Sequence, residues 1–327
     1  MVPLVSIQGL SVAFNGVAVL RGVDLALGKG EALGLVGESG SGKSVTWLAA
    51  LGLLPRHAKV TGSVRLHGRE LLGAPAHELD QIRGGRIAMI FQDPASALNP
   101  VLTIRKQLSE ALALHRDLQG EAVKAEAMRL LNLVGTPDAA RRLSAYPHEF
   151  SGGQVQRIMI AMALAGNPDV LIADEPTTAL DATIQAQILE LLSSVRREMG
   201  MAMVLISHDL GVVAENCDRV AVMYAGRIVE QAPSNQLFAD PVHPYAQGLI
   251  GALPPLDGPR RRLTAIPGTV PDPARMSDGC AYAPRCALAA EPCGLAAPTL
   301  APIASDRTVA CIRAEASRRA LLGTAAE

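Results

Sequence analysis

The chain of 327 residues is 49% hydrophobic and 19% charged, a balance that supports a large packed core and excludes wholesale disorder. Its formal net charge of −1, with no basic tract, excludes a dedicated nucleic-acid binder. No run of about 18 uncharged apolar residues occurs, and the opening "MVPLVSIQGLSVAF" lacks the pattern of a signal peptide. The expectation is a soluble chain that meets a membrane only through partners.

The first informative element is "ALGLVG" at 32–37, an aliphatic run of the length of a strand buried on both faces. It runs into "GESGSGKS" at 37–44, which fits G-x-x-x-x-G-K-[ST] between a predicted strand and a predicted helix. Gly37, Gly40 and Gly42, with Ser39 between them, let the backbone wrap closely around phosphates. Lys43 is expected to reach the β- and γ-phosphates and Ser44 to ligate Mg²⁺.

Over roughly 100–165 the pattern turns helical: Ala127, Leu130, Leu131 and Val134 recur at i, i+3, i+4, i+7, and Gly135 suits a helix C′ position. Within this insert, "FSGGQVQR" at 150–157 sets a hydroxyl and two glycines before the apolar helical pattern "IMIAMALA", a second anion site by the logic of helix N-termini. Two further strands follow. "DVLIADEP" at 169–176 ends in paired acids, Asp174 suited to Mg²⁺ and Glu175 to polarising an attacking water. "AMVLIS" at 202–207 leads into "ISHD", whose His208 stands at a strand end where a γ-phosphate contact is expected.

From "LPPLDGPRRR" at 253 proline and glycine rise and periodicity fades, which marks a boundary. Arg260, Arg261 and Arg262 read as a solvated linker, and Cys217 as a small core residue. Beyond the boundary Cys280, Cys286, Cys293 and Cys311 form C-x₅-C-x₆-C-x₁₇-C with no histidine after His243. Four such thiols can hold zinc or an iron–sulfur cluster, or be merely buried or oxidisable; the lack of C-x₂-C knuckles speaks against zinc.

The motifs "GESGSGKS", "FQDP", "FSGGQ", "LIADEP", "TTALD" and "ISHD", in this order and spacing, resemble an ATP-binding-cassette (ABC) transporter ATPase over residues 1 to about 255. The resemblance implies an α/β fold: a P-loop, RecA-like core with an inserted helical subdomain and a small Cys-rich C-terminal extension. It implies hydrolysis of ATP with Mg²⁺, catalysed by Glu175, His208 and Gln92, with Ser44, Gln92 and Asp174 around the metal. Phe14 takes the place of the aromatic that stacks on adenine, and Asp181 that of the aspartate crossing a dimer interface. It also answers what a second phosphate site binds. Ser151, Gly152, Gly153 and Gln154 are implied to face the ATP held by a partner subunit packed head to tail.

The stretches "IFQDPASALNPVLTI", "YPHEFSGGQVQRIMIAMALA", "VMYAGRIVEQAP" and "HPYAQGLI" are similar to ATPases of dipeptide/oligopeptide importers, a group that includes nickel and glutathione importers. The match is nearer to the first of the two ATPases such systems encode, and "SGGQVQR" departs from that subunit type, which more often has methionine and arginine after the glycines. The resemblance implies a nucleotide-binding domain over 1–255 and an extension over 256–327 whose four cysteines bind a [4Fe–4S] cluster. The implied partners are a second ABC ATPase forming a heterodimer, two permease subunits and an extracytoplasmic solute-binding protein, at the cytoplasmic face of the inner membrane. Two other readings are a non-catalytic ATP-binding regulatory subunit and a soluble ABC ATPase not tied to transport.

Overall fold

A computed structural model describes residues 2–93, 97–178, 180–253 and 265–324. Arg260, Arg261 and Arg262 lie outside the described residues. In chain order the elements open with β1 Val5–Phe14, β2 Val17–Leu27, β3 Ala32–Val36, α1 Lys43–Ala50, β4 Ala58–Leu66 and β5 Arg69–Glu70. There follow α2 Ala76–Ile82, β6 Ile87–Ile90, α3 Ile104–Arg116, α4 Glu121–Leu133, α5 Ala139–Arg142, α6 Gly152–Leu164, β7 Val170–Asp174, α7 Ala182–Met199 and β8 Ala202–Ile206. The last are α8 Leu210–Asn216, β9 Arg219–Tyr224, β10 Arg227–Pro233, α9 Ser234–Ala239, α10 Pro244–Gly251, β11 Ala301–Ala304, β12 Arg307–Val309 and α11 Ala314–Thr324. Among the described residues no helix is long and apolar enough to cross a membrane.

The chain divides into two compact units. One comprises residues 27–32 and 73–206. Its strands β6, β7 and β8 pair in parallel, Ile87 opposite Val170 and Val170 opposite Ala202. All five residues of β7 and all five of β8 are buried, as aliphatic runs covered on both faces must be. The helical pattern folds as α3, α4 and α6 packed on one another. Ala127, Leu130, Leu131 and Val134 are fully buried, and Gly135 adopts the left-handed conformation that ends α4.

The other unit comprises residues 3–26, 33–72 and 207 onward. β3 pairs in parallel with β9, Leu33 opposite Arg219. The antiparallel run β9-β10-β12-β11 continues that sheet outward. The tail's two short strands thus extend it: Glu230 of β10 stands opposite Val309 of β12. A second sheet has the order β2-β1-β4-β5. Cys217 is buried against β3, its sulfur 3.3 Å from where a methyl on Gly34 would sit, as a small core residue should be.

Candidate functional site

The glycine-rich loop leaves the end of β3 and enters α1 at Lys43. Close approach of phosphates is only part of why its glycines are glycines. A methyl on Gly37 would lie 2.1 Å from the Met223 carbonyl oxygen, and one on Gly42 2.5 Å from Leu20 Cδ2, both at positive φ. The loop is therefore pressed onto β9 as well as open to a ligand; Ser39 and Gly40 remain exposed. Lys43 is buried and folds back over its loop, Nζ donating to the carbonyls of Gly37 (2.8 Å) and Glu38 (3.0 Å). Ser44, the second residue of α1, is half-buried. Phe14 ends β1 half-exposed, its ring edge-on to His57 at 5.9 Å, so it is not a core residue and is open to a flat partner. His208 is exposed in the turn that follows β8.

In the first unit the acids sit at the end of β7. Asp174 is its last residue, buried at 6% exposure. Glu175 turns out of the strand at φ 49°, a left-handed conformation unusual for a side-chain-bearing residue and common where strain is kept for function. Its amide donates to Ile206 O of β8 (2.9 Å). Its carboxylate accepts from Gln92 Nε2 (2.7 Å) and Thr178 Oγ1 (3.0 Å). Gln92 and Glu175, 83 positions apart, are thus brought into direct contact. Thr178 escaped sequence reasoning; its spacing of three from Glu175 was the available signal.

Ser151 caps α6, and Gln154 reaches back so that its Oε1 accepts from the Ser151 amide (3.1 Å). Ser151 and Gly152 are exposed. A methyl on Gly153 would meet Ile184 of α7 at 2.8 Å, so the second glycine serves packing between α6 and α7. Asp181 caps α7, accepting from the Ile184 amide (3.0 Å). Buried Gln156 ties α6 to the acids, its Nε2 donating to Pro176 O (2.6 Å). The helix N-terminus is thereby presented outward, the arrangement that attracts an anion.

Residues 20–178 match the family model described as ABC transporter, and residues 229–293 match the oligopeptide/dipeptide transporter C-terminal region. A Brucella melitensis protein named as a peptide import ATP-binding protein is 52% identical over 296 residues, covering 89% of both chains. The oligopeptide transport ATP-binding protein OppD of Escherichia coli is 46% identical over 314 residues, covering 95% of this chain and 93% of its own. The chain belongs to the ABC transporter ATPases. Among solved structures, a dimeric ATP-binding cassette bound to ADP and Pi after hydrolysis is 29% identical with a TM-score of 0.62. It covers 70% of this chain and 98% of its own. The Clostridium perfringens subunit cbiO1 of an ABC transporter complex gives 0.65 at 26% identity, covering 73% and 91%. The α/β fold with a P-loop ABC core is thereby shown.

In this ABC ATPase the tail gathers Cys280, Cys286, Cys293 and Cys311 around one cavity. Burial pushes the thiols of Cys280 and Cys286 up and that of Cys311 up to about 11, so they are protonated at neutral pH. The donor set suits an iron–sulfur cluster in chemistry, but the arrangement does not support it. Among the described residues no three His, Cys, Asp or Glu side chains are disposed to hold a metal ion. The cavity, about 20 Å³, admits roughly one water.

The functional neighbours that sequence reasoning missed lie where β9, α10 and the tail meet. Tyr224, Tyr245 and Tyr282 form an aromatic cluster with ring centroids 4.5–5.4 Å apart. The Tyr245 hydroxyl accepts from the Glu38 amide of the phosphate loop (2.8 Å). Burial raises the hydroxyl of Tyr245 well above the usual phenol range and that of Tyr282 to about 12. Their recoverable signal was the "HPY" and "YAPRC" stretches, which stand apart in a chain that is only 3% aromatic.

Proposed function

We propose that the chain is the ATP-hydrolysing, energy-coupling subunit of an importer for di- or oligopeptides. The observation that carries the reading is Glu175 at the end of β7, turned out of the strand and oriented by Gln92 and Thr178. A carboxylate so held can align a water for in-line attack on a γ-phosphate. Lys43 and His208 then stabilise charge on the transferred group. Ser44 in the loop, Asp174 at the end of β7 and Gln92 after β6 supply oxygen donors of the kind Mg²⁺ takes; the ion, when bound, would neutralise charge developing on the phosphates. Phe14 offers the adenine a stacking face. Ser151, Gly152, Gly153 and Gln154 serve the ATP of a second, homologous subunit, with Asp181 at that interface.

Peptide as cargo is supported by the names of the relatives and by the tail's match to the oligopeptide/dipeptide transporter C-terminal region. Residues 1–255 form the nucleotide-binding domain, with its helical part at about 100–165, and 256–327 the extension. The subunit associates peripherally with the inner membrane's cytoplasmic face through two permeases served by a solute-binding protein.

The test is the Glu175→Gln variant, purified anaerobically with Mg-ATP from its membranes. It should bind ATP while hydrolysing it at least about a hundredfold more slowly, and should retain a second ATPase and permeases. Wild-type hydrolysis by this variant refutes the catalytic assignment, and a homodimer without permeases refutes the importer.

A further inference from the structure

The phosphate loop contains an acid. Glu38 lies one residue after Gly37, a place where a negative charge opposes the binding of a polyphosphate. In the structure that charge is matched from the far end of the chain. Arg285 places both terminal nitrogens on the carboxylate, Nη1 to Oε2 at 2.9 Å and Nη2 to Oε1 at 3.0 Å, across 247 positions. This fork-on-fork pairing is the strong and directional form of the interaction. The Arg285 side chain is 6% exposed and that of Glu38 27%.

The guanidinium is itself held. Its Nε donates to Pro267 O (2.7 Å), its Nη1 also reaches the Tyr224 hydroxyl (3.2 Å), and it lies 5.7 and 5.9 Å from the ring centres of Tyr224 and Tyr282. Glu38 is fixed on its other sides too, its amide by Tyr245 and its carbonyl by Lys43. Arg285 stands in the short turn Ala283–Arg285, between Cys280 and Cys286. An arginine whose only task was to brace the tail has no need to aim both arms at the phosphate loop.

We propose that Arg285 is a positioning residue for nucleotide binding: it neutralises Glu38 and holds that carboxylate away from the phosphates, so affinity for ATP depends on the C-terminal extension. The inference rests on reading residues 37–44 as the phosphate loop. Without Arg285 the carboxylate keeps its charge and is free to turn toward the ligand. One uncompensated charge beside a polyanion changes affinity on the order of tenfold. Removing the charge of Glu38 should then undo the damage, which no loss of mechanical bracing would allow.

The experiment is calorimetric titration of Mg-ATP into the full chain carrying Arg285→Met, Glu38→Gln, both, or Lys43→Ala, with Trp47 fluorescence as the check on folding. Arg285→Met should raise the Kd about tenfold, more at low salt than at high, and the double variant should return to within about threefold of wild type. A Kd within about twofold of wild type for Arg285→Met overturns the proposal. So does a weakened Kd that Glu38→Gln fails to rescue, since that marks Arg285 as a strut. Should Arg285→Met not fold, Arg285→Lys keeps the charge and loses the fork; it should weaken binding about threefold with the same rescue, and an unchanged Kd overturns the proposal equally. If Lys43→Ala binds ATP as wild type does, the phosphate-loop reading itself falls, independently of Arg285.

Discussion

The Arg307→Met substitution offers a worked test of what fastens the tail to the sheet. Glu230 on β10 is fully buried, and its carboxylate accepts from the amides of Val242 (3.1 Å) and His243 (2.7 Å) and from Arg307 Nε (3.2 Å) and Nη2 (2.7 Å). Burial raises its pKa, against the pull of the His243 amide and Arg307. Arg307 also bonds Asp240 O. Methionine keeps the stem and removes the charge, leaving a buried carboxylate that must ionise alone or take up a proton. Breaking such a pair from one side costs about 3–5 kcal/mol. Protonation caps the cost: holding a group with an unfolded pKa of 4.5 neutral at pH 7 costs about 3.4 kcal/mol, at about 1.36 per unit. At pH 5 the same cap is about 0.7 kcal/mol.

The variant should therefore lose up to about 3 kcal/mol at pH 7 relative to wild type, less what burial already costs the wild-type carboxylate, and under about 1 kcal/mol at pH 5. Trp47, the chain's one tryptophan, is fully buried in the unit that also holds Glu230 and Arg307. Urea unfolding followed by its fluorescence reads the difference locally. A loss below about 1 kcal/mol at pH 7, or one that does not shrink with acid, refutes the account of Glu230 as a buried charge dependent on Arg307.

Two further outcomes follow from the same fold. His243 is buried, its Nδ1 accepts from the Tyr245 amide (3.0 Å), and burial lowers its pKa to about 3. Below pH 6.5 the unfolded chain takes up a proton that the folded chain refuses until about 3, so stability falls with pH, by about 2 kcal/mol between pH 7 and 5. The raised Glu230 acts in the opposite direction in wild type and variant alike, so His243→Asn, which keeps a capping acceptor, should flatten the acid side of the stability curve relative to wild type; equal urea midpoint shifts would refute this. Gly37→Ala, forced against Met223 O at 2.1 Å and a φ of 152°, should distort the loop and weaken Mg-ATP binding at least about tenfold, measured by calorimetry. Unchanged affinity would show that the loop has room to give.

Much of the core was legible because its causes are local. The runs at 32–36, 170–173 and 202–206 are apolar throughout, broken by no charged residue, and a strand covered on both faces needs that. The phosphate loop was legible because its conformational demands fall on adjacent residues, as was the cap of α6 in "SGGQ". Gln92 and Glu175 were each named from motifs, yet nothing in either motif says that one donates to the other. That bond depends on where β7 and the turn after β6 come to lie.

What the chain's own order determined, then, is the set of groups whose chemistry is written within a few residues: the glycines, the lysine, the paired acids, the capped signature helix. What tertiary structure alone decided is which distant charges meet. Arg285 reaches Glu38 across 247 positions and Arg307 reaches Glu230 across 77. Four thiols counted in the sequence become one cavity with space for about a water only once the tail has folded. The reason is physical: a backbone conformation is selected by neighbours along the chain, whereas the partner of a buried charge is selected by the low dielectric of the place to which folding carries it.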